Sequence, residues 1–497
     1  MLGKKVYQEK LFTNFSLTTR IPDNNFYKRL KKELDLSFLY KICKPYYGDC
    51  GQKSIDPVVF FKLMLVGYLE GVVSDRKLID FVGLRLDVLY FADYDIDEEL
   101  PWHSTISRTR KKLPDKIFEK TFERVFGMCV EKGMVAGHTQ SVDSALIRAN
   151  ASLESIELRQ PKLAISSYIK EVKVQDKEEI KDDYPKPKPR KNIKRSNTTH
   201  YSPSDPDAKI AYKPGKPTSL YYQSQMSVDT AHCVITHIQA NKADKRDSVY
   251  LIPIVERTKN RLNQSGFLVR NILADTNYSS GKNYFDLDNM GLQGFIPPHG
   301  TYKGGPDGFT YHKETDEWEC HGGKRLTFRK EFIRENSRKK EYRISSKLCK
   351  GCKHYDSCMK KKSEKSITIS YYKEHIDNAI RQLKTSQGKY LRRKRQSTVE
   401  PVFGTLMNNM GMKKVLTKGI SSANKVFIIT STAYNLKKYM KFITNKVNVH
   451  KAVLDFKNKV SFKRFRIEIF NHDIQCLSLL INKMRIVQHA HVSTLFY

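Results

Sequence analysis

The sequence predicts an α/β fold: a mixed β-sheet flanked by helices, with an all-helical domain before it and a subdomain inserted into it. Residues 1–135 carry apolar residues at helical spacing, and residues 136–300 alternate between strand-like and helical segments. Helical periodicity returns within residues 384–445, after a polar, cysteine-bearing segment at 301–383 whose residues 301–370 are predicted to be irregular. We therefore predict four structural parts, followed by a C-terminal tail of unknown role at 446–497.

The charge of the chain predicts a polyanionic partner. Its 497 residues include 89 Lys and Arg against 53 Asp and Glu, a formal net charge of +36. Because each phosphate that Lys or Arg contacts releases counterions, this excess favours nucleic-acid binding. No apolar run reaches the ~18 residues of a membrane helix, and no signal-peptide core is evident. We expect an intracellular protein without a membrane partner, whose nine cysteines are thiols or metal ligands.

The N-terminal domain is predicted to consist of short helices. Three segments carry the helical pattern, at 56–72, 74–91 and 103–133. Pro57 and Pro114 suit the first turns of helices. The segment "SRTRKK", with Arg108 and Arg110 facing outward, is consistent with a helix-turn-helix-like DNA contact. An ordinary helical bundle with a solvated basic face fits these residues equally well.

The next part is predicted to form a sheet. The pattern indicates a strand at 134–150, a hairpin at 220–247, a helix at 247–266 and a buried strand with a sharp turn at 267–280. Between the first strand and the hairpin, the polar, Lys- and Pro-rich residues 171–218 cannot bury a core and are predicted to form a loop. The order strand, hairpin, helix, strand, insert, helix resembles an RNase H-like fold.

Three acids occupy the positions at which that fold carries its catalytic residues. Asp143 lies in the first strand, Asp275 follows the fourth strand, and Glu400 lies on a later helix. Three carboxylates that converge could hold two Mg²⁺ (or Mn²⁺) ions, which prefer hard oxygen ligands. Such a pair of ions activates an attacking water or hydroxyl and offsets charge on the departing oxygen of a phosphodiester.

Each acid also has a purely structural explanation. Asp143 could be a polar residue at a strand edge, and "DTN" at Asp275 is a turn signal. The stretch "STVE" fits a capping box, in which Glu400 at the third helical position would return a hydrogen bond to Ser397. The three acids in this order of strands and helices favour a catalytic site over these separate explanations.

At these residues the chain resembles DDE-type transposases of bacterial insertion sequences. Seven segments carry the resemblance over roughly residues 50–440: "DPVVFFKLMLVGYLEG", "HSTISRTRKKL", "VDSALIRANAS", "SPSDPDAKI", "ILADTNYSS", "RKRQSTVEPVFGTLMNNMGMKKVLTKG" and "TAYNLKKYMKF". The resemblance implies that Asp143, Asp275 and Glu400 are the catalytic acids. It also implies metal-dependent cleavage and transfer of double-stranded DNA at element ends and targets, by a homodimer in the cytoplasm, associated with the nucleoid.

The Glu400 helix departs from the family pattern at two positions. Many relatives have a lysine seven residues after the glutamate and an arginine four residues before it, where this chain has Met407 and Gln396. We expect the preceding basic run to hold DNA phosphates instead; its members are Arg392, Arg393, Lys394 and Arg395. A solvated charge cluster would explain the same run. The opposite face is predicted to bury Val399, Val402, Phe403 and Leu406.

The segment between Asp275 and Glu400 is longer than a compact core needs, and it contains four cysteines. They are Cys320, Cys349, Cys352 and Cys358. Four thiolates suit a tetrahedral structural Zn²⁺, with His321 and His354 as substitutes. Because there is only one CxxC pair, reduced cysteines without a metal explain the pattern equally well.

Three functions agree with these observations. The first is a transposase that cuts and joins DNA. The second is a non-catalytic, decayed or repurposed DNA-binding relative, and the third is a nuclease of the same fold that does not join ends. The presence of all three acids favours the two enzymes.

Overall fold

The computed structural model describes residues 5, 16–48, 50–51, 54–159, 195–300, 304–334, 337–359 and 362–463. The chain divides into two units, Met1–Tyr439 and Met440–Tyr497. The elements below belong to the first unit, and only the last helix continues into the second. Most of the predicted tail, from residue 464 onward, lies outside the described residues.

The described N-terminal part is helical, as its periodicity predicts. Its helices are α1 (Leu17–Arg20), α2 (Phe26–Glu33), α3 (Phe38–Cys43), α4 (Pro57–Leu69), α5 (Asp75–Gly83), α6 (Leu86–Ala92), α7 (His103–Lys112) and α8 (Asp115–Glu131). Pro57 is the first residue of α4, and the Asp56 side chain accepts hydrogen bonds from the next two free backbone N–H groups. Helix α4 is apolar on all sides, and the other helices bury it almost completely.

The central sheet contains six strands. They are β1 (Thr139–Arg148), β4 (Lys209–Lys213), β5 (Lys216–Asp229), β6 (Ile235–Lys242), β7 (Asn271–Leu273) and β8 (Gln293–Phe295). Strand β5 pairs antiparallel with β1, β4 and β6, whereas β7 runs parallel to both β1 and β8. The mixed α/β class, the hairpin β5–β6 and the parallel strand β7 agree with the prediction.

The C-terminal end of the predicted loop 171–218 is ordered, which corrects that prediction. Besides β4 and the start of β5, it contains β3 (His200–Tyr201), which pairs with β2 (Glu157–Leu158). The buried Asp205 carboxylate accepts hydrogen bonds from the Tyr222 hydroxyl at 2.6 Å and from the Gly419 N–H at 3.2 Å. A buried carboxylate with these partners fixes the segment in place. Residues 171–194 lie outside the described residues.

Residues 309–370 form a second sheet where the sequence predicts irregular structure, so that prediction is wrong. Its strands are β9 (Phe309–His312), β10 (Glu317–Cys320), β11 (Arg325–Arg334), β12 (Ser337–Ser345) and β13 (Glu364–Ser370), each antiparallel to the next. Trp318, Leu326 and Tyr342 form its small core. Strand β11 is exposed along most of its length, which explains why its charged residues conceal the strand pattern.

Helices fill the rest of the described chain. They are α9 (Asp247–Gln264), α10 (Gly281–Asn289), α11 (Tyr355–Met359), α12 (Lys373–Lys384), α13 (Ser386–Asn408) and α14 (Ile420–Lys463). Helix α13 begins at Ser386, well before the cap at Ser397 that the capping box would require, because Thr385 caps it by accepting a hydrogen bond from the Gly388 N–H at 3.0 Å. Glu400 therefore lies inside a long helix and not in its first turn.

Candidate active site

Asp143 and Asp275 lie at matching positions on neighbouring parallel strands. Ser141 of β1 is paired with Leu273 of β7, and each aspartate follows two residues later. Because adjacent strands lie about 4.8 Å apart, this register brings the two carboxylates to the same edge of the sheet. The structure therefore brings these two acids together.

The Asp143 carboxyl is mostly withdrawn from water, with 19% of its side chain exposed. Burial, with a smaller contribution from the negative charge of Asp275, raises the pKa of Asp143 to about 6. The Ser144 N–H, which donates to Asp143 Oδ1 at 2.8 Å, and the Arg395 guanidinium both oppose this change. A buried acid with a raised pKa marks a position where a cation would be favoured.

Asp275 forms a local turn as well as part of the acidic pair. Its Oδ1 accepts a hydrogen bond from the Asn277 N–H at 3.0 Å, and its Oδ2 accepts one from the Asn277 side chain at 3.0 Å. The turn explanation therefore holds, but it does not exclude a role for the carboxylate. Burial raises the pKa of Asp275, and the next largest cause is the carboxylate of Asp247.

The Arg395 guanidinium lies between Glu400 and Asp143 and connects Glu400 to this site. Arg395 Nη1 lies 3.1 Å from Asp143 Oδ2, and Arg395 Nη2 lies 3.9 Å from Glu400 Oε1. The Glu400 side chain is 62% exposed, so it lies at the open side of the site. A positive group thus lies between these two acids, whose charges would otherwise repel each other.

The helix that carries Glu400 packs as predicted, but the capping box is wrong. Val399, Val402, Phe403 and Leu406 are all buried. The hydroxyls of Ser397 and Thr398 donate to the Lys394 carbonyl at 3.0 and 2.7 Å, as side chains within a helix do. Glu400 therefore has no capping role.

The predicted DNA-contacting cations are not all at the surface. Arg108, Arg392 and Arg393 are exposed, and Lys394 is half-buried. The side chain of Arg395 is only 14% exposed and lies beside the acids, unlike its exposed neighbours Arg392 and Arg393. Arg110 is buried, where its guanidinium pairs with Asp75 and contacts Met64 Sδ at 3.3 Å, so its predicted DNA contact is wrong. Packing between α4, α5 and α7 uses this arginine instead.

Sequence reasoning missed an acid and two glutamines beside the aspartates. Asp247, at the start of α9, accepts hydrogen bonds through Oδ1 from the amides of Gln223 and Gln225, the latter at 3.0 Å. Gln225 in turn accepts a hydrogen bond from the buried Tyr278 hydroxyl at 2.5 Å. The available signal was "YYQSQMSVD", in which two glutamines two residues apart interrupt an otherwise buried strand.

The four predicted zinc ligands come from separate elements and lie near one another. Cys320 ends β10, Cys349 ends a short 3₁₀ turn, and Cys358 lies in α11. A side chain placed at Gly322 would meet Cys352 Sγ at 2.9 Å and Cys320 Sγ at 3.6 Å. Burial raises the pKa of Cys349, and the other three cysteines add to this effect.

Neither the acids nor the cysteines form a closed metal-binding cluster in their present positions. Over the described ranges, no three His, Cys, Asp or Glu side chains converge closely enough to hold a metal ion. For the acids, the Arg395 guanidinium lies between Asp143 and Glu400, and a cation there is what their charges require. For the cysteines, all four are free thiols, and Cys352 and Cys320 both approach Gly322. The donor atoms therefore suit Mg²⁺ or Mn²⁺ at the acids and Zn²⁺ at the cysteines.

Two family models match this chain, and both describe transposases. Residues 15–112 match a transposase domain (DUF772), and residues 319–440 match a transposase DDE domain. These matches confirm the resemblance to DDE-type transposases, a class of proteins that act on DNA. DNA binding, DNA recombination and transposition are the functions of this class.

Similar solved structures are also complexes of transposases, but the likeness is slight. The Mos1 transposase paired-end complex with left transposon end is 9% identical, with 54% of this chain and 67% of that chain covered and a TM-score of 0.16. The piggyBac transposase synaptic complex with hairpin DNA is 10% identical, with 84% and 79% covered and a TM-score of 0.22. No curated protein matches this chain significantly.

None of the described helices has both the length and the apolar character that crossing a bilayer requires.

Proposed function

We propose that this transposase cleaves DNA strands at the ends of an insertion sequence and transfers them to target DNA, using Asp143, Asp275 and Glu400 with two Mg²⁺ or Mn²⁺ ions. The observation that supports it most is the register of β1 and β7, which sets Asp143 beside Asp275. Neither carboxylate has enough protein cations around it to balance its burial, because the pKa of each is raised despite Arg395.

The strand order supports an RNase H-like core. Reading across the sheet, β6, β5, β1, β7 and β8 correspond to the third, second, first, fourth and fifth strands of the core, with the first three antiparallel and the last two parallel to β1. In this interpretation the second sheet, β9–β13, is the insertion between the second and third catalytic acids. Residues 1–135 would then be a DNA-binding domain, with Arg108 exposed on α7.

The acids and the arginines would have different roles in cleavage. Divalent ions bound to the three acids would supply an activated nucleophile and offset the negative charge on the leaving oxygen. Asp143 on strand β1 and Asp275 in the turn after strand β7 would fix the position of the reacting phosphate. Arg395 would leave Asp143 and bind the phosphate, while Arg392 and Arg393 hold the strand outside the site.

The proposed setting follows from the class. We propose that two copies act on paired element ends, at the nucleoid within the cytoplasm. The basic excess of the chain supports the DNA partner, since +36 charges favour binding to phosphates.

The test of this function is a cleavage and joining assay on the full chain. DNA carrying both ends of the encoding element is incubated with the protein and a supercoiled target, with and without millimolar MgCl₂ or MnCl₂. We expect nicks at the element ends that require the divalent ion, followed by joining of the new 3′-hydroxyl ends to the target. Nicking without joining would identify a nuclease, and binding without nicking would identify a non-catalytic DNA-binding protein; either result overturns the proposal.

We also propose that Cys320, Cys349, Cys352 and Cys358 hold a structural Zn²⁺. The support is the approach of Cys352 and Cys320 to one point beside Gly322, together with the mutual effect of the four thiols. Zinc there would join β10 to the segment before β13, and it would stabilise a sheet whose apolar core is small.

The zinc site predicts a loss of both metal and stability in one variant. Cys352→Ser is expected to lower zinc affinity by at least about 100-fold and to lower the melting temperature of the protein, because a tetrahedral site loses a ligand. Elemental analysis and thermal unfolding measure the two effects. Cys50→Ser is the control, since Cys50 is exposed and far along the chain from these residues. Less than one zinc per purified wild-type chain, together with a melting temperature that Cys352→Ser leaves unchanged, would contradict this site.

A further inference from the structure

Helix α9, which begins at Asp247, is tied to the turn that follows Asp275. The Asn283 amide nitrogen donates to the carbonyl of Ser248, the second residue of α9, and to the carbonyl of Tyr278, the last residue of the turn, both at 2.8 Å. Asn283 is only 5% exposed, so this amide is a buried link between the two elements. The start of α9 is therefore held in a fixed position against the turn.

A chain of hydrogen bonds orients the Asp247 carboxylate. The hydroxyl of the fully buried Tyr278 donates to Gln225 Oε1 at 2.5 Å, and Gln225 Nε2 donates to Asp247 Oδ1 at 3.0 Å. The amide nitrogen of Gln223 donates to the same Asp247 oxygen. Both amides bind Oδ1, and Asp247 Oδ2 accepts no hydrogen bond from the residues that the structure describes. The carboxylate is thus fixed through one oxygen, while the other is available to a ligand.

Three carboxylates lie near the Tyr278 hydroxyl. Burial is the main cause that raises the pKa of Tyr278, and three negative charges raise it further, those of Asp247, Asp143 and Asp275. The Asp247 charge also raises the pKa of Asp275, after the effect of burial. Arg395 pairs with Asp143, whereas no Lys, Arg or His of the described chain pairs with Asp247. This group of acids therefore has an excess of negative charge, which favours a cation.

Asp247 suits a role that it exerts through water. Within the described ranges no three acidic, histidine or cysteine side chains converge closely enough to hold an ion directly, so Asp247 is not a direct ligand. Mg²⁺ keeps several of its waters when one or two carboxylates bind it. Asp247 is half-buried and lines an open cavity together with Asn277, whose N–H and amide hold Asp275. A carboxylate in this position can accept a hydrogen bond from the hydration shell of an ion at Asp275.

We propose that Asp247 is a positioning residue of the metal site, whose Oδ2 accepts a hydrogen bond from a water molecule of the divalent ion that Asp143 and Asp275 hold. Its charge and fixed orientation raise the affinity for that ion without direct contact. A favourable helix start explains an acid at this position, but it does not explain the two glutamine amides that orient it. The proposal rests on the proposed function and adds a residue that the three acids do not include.

Binding of Mn²⁺ to the full chain without DNA tests this role, and the paramagnetic resonance signal of free Mn²⁺ measures it. Asp247→Asn is expected to weaken Mn²⁺ binding by about 10- to 100-fold. The new amide keeps an oxygen for the Gln223 and Gln225 donors, so the melting temperature without Mn²⁺ should be unchanged. Asp247→Glu restores the charge and should recover part of the affinity. Asp244→Asn, at an exposed aspartate three residues earlier, is the matched control.

The dependence of nicking on magnesium gives a second measurement. Asp247→Asn is expected to need about 10- to 100-fold more MgCl₂ for half-maximal nicking, with a rate at saturating MgCl₂ within about threefold of the wild type. Asp275→Asn should not recover at any MgCl₂ concentration, because it lacks a direct ligand. A purely structural role of Asp247 would instead lower the rate at every MgCl₂ concentration.

The outcomes separate this proposal from the proposed function. Mn²⁺ binding that Asp275→Asn removes but Asp247→Asn leaves unchanged would overturn the role of Asp247 alone. Absence of any Mn²⁺ binding that depends on Asp275 would overturn it as well, even if the protein nicks DNA. Weaker Mn²⁺ binding by Asp247→Asn, in a protein that does not nick DNA, would retain this role and reject strand cleavage. Asp247→Ser, a second neutral variant that suits a helix start, should show the same loss and serves if the asparagine variant does not fold.

Discussion

Asp275→Asn is expected to lower the rate of DNA strand cleavage on the order of 10³-fold, equivalent to about 4 kcal/mol of transition-state stabilisation. The amide retains an oxygen that can accept the Asn277 N–H, so the turn after β7 is preserved. It lacks the negative charge that a divalent ion requires beside Asp143. The measurement is the initial nicking rate on element-end DNA in MgCl₂, together with DNA affinity, which should be nearly unchanged.

Asp97→Asn is the matched control for this experiment. Asp97 is an exposed aspartate in the N-terminal helical part, so the same chemical change there should leave cleavage intact. Equal nicking rates for Asp275→Asn and the wild type would remove Asp275 from the site. A loss of DNA binding in Asp275→Asn would instead show that the variant is misfolded, and circular dichroism would report that directly.

The sequence located the acids because their positions depend on local patterns. The strand that carries Asp143 and the buried strand before Asp275 both have strong apolar signals, and the parallel register of β1 and β7 then follows from the order of elements. The face of α13 was predictable for the same reason, since Val399 and Val402 fall at helical spacing. Periodicity alone is enough to specify such elements.

The features that the sequence did not reveal depend on contacts between distant residues. The charged surface of β11 conceals the second sheet, whose core needs Trp318 and Tyr342 from separate strands. Arg110 carries the same charge as its exposed neighbours, and only packing against Met64 and Asp75 distinguishes it. Arg395 is likewise distinguished from the other basic residues of its run only by its distance of 3.1 Å to Asp143.

Asp247 lies near the acids although it belongs to none of the sequence motifs that identify them. It opens α9 in a position where an acid favours the helix dipole, so the sequence offers a sufficient local explanation for it. Only the fold places it against Gln223 and Gln225, and close enough to Asp275 to raise the pKa of that carboxyl. Asp247 therefore has a local role at the start of α9 and also affects Asp275, which is distant in the sequence.

Asp143→Asn is expected to stabilise the magnesium-free protein by about 3 kcal/mol at pH 7, although it should abolish cleavage. The pKa of Asp143 is about 6 in the folded chain against a usual 3.8, a difference of about 2 pH units at 1.36 kcal/mol each. A raised carboxyl pKa means that the folded state holds the proton more tightly than the unfolded state. Between about pH 4 and pH 6 this carboxyl ionises in the unfolded chain before it ionises in the folded chain, so the wild-type fold loses stability that it does not regain at higher pH. The neutral amide avoids that cost.

The stability difference between Asp143→Asn and the wild type should depend on pH. Below about pH 4 the carboxyl is protonated in both states, so the stability advantage of the variant should vanish; it should grow between pH 4 and pH 6 and then remain constant. Denaturant unfolding at several pH values, in buffer without magnesium or chelator so that any zinc is retained, measures it. Asp97→Asn should show no such change. A variant less stable than the wild type at pH 7 would mean that the pairing of Arg395 with Asp143 outweighs burial of the carboxylate, and the site would then need no further cation.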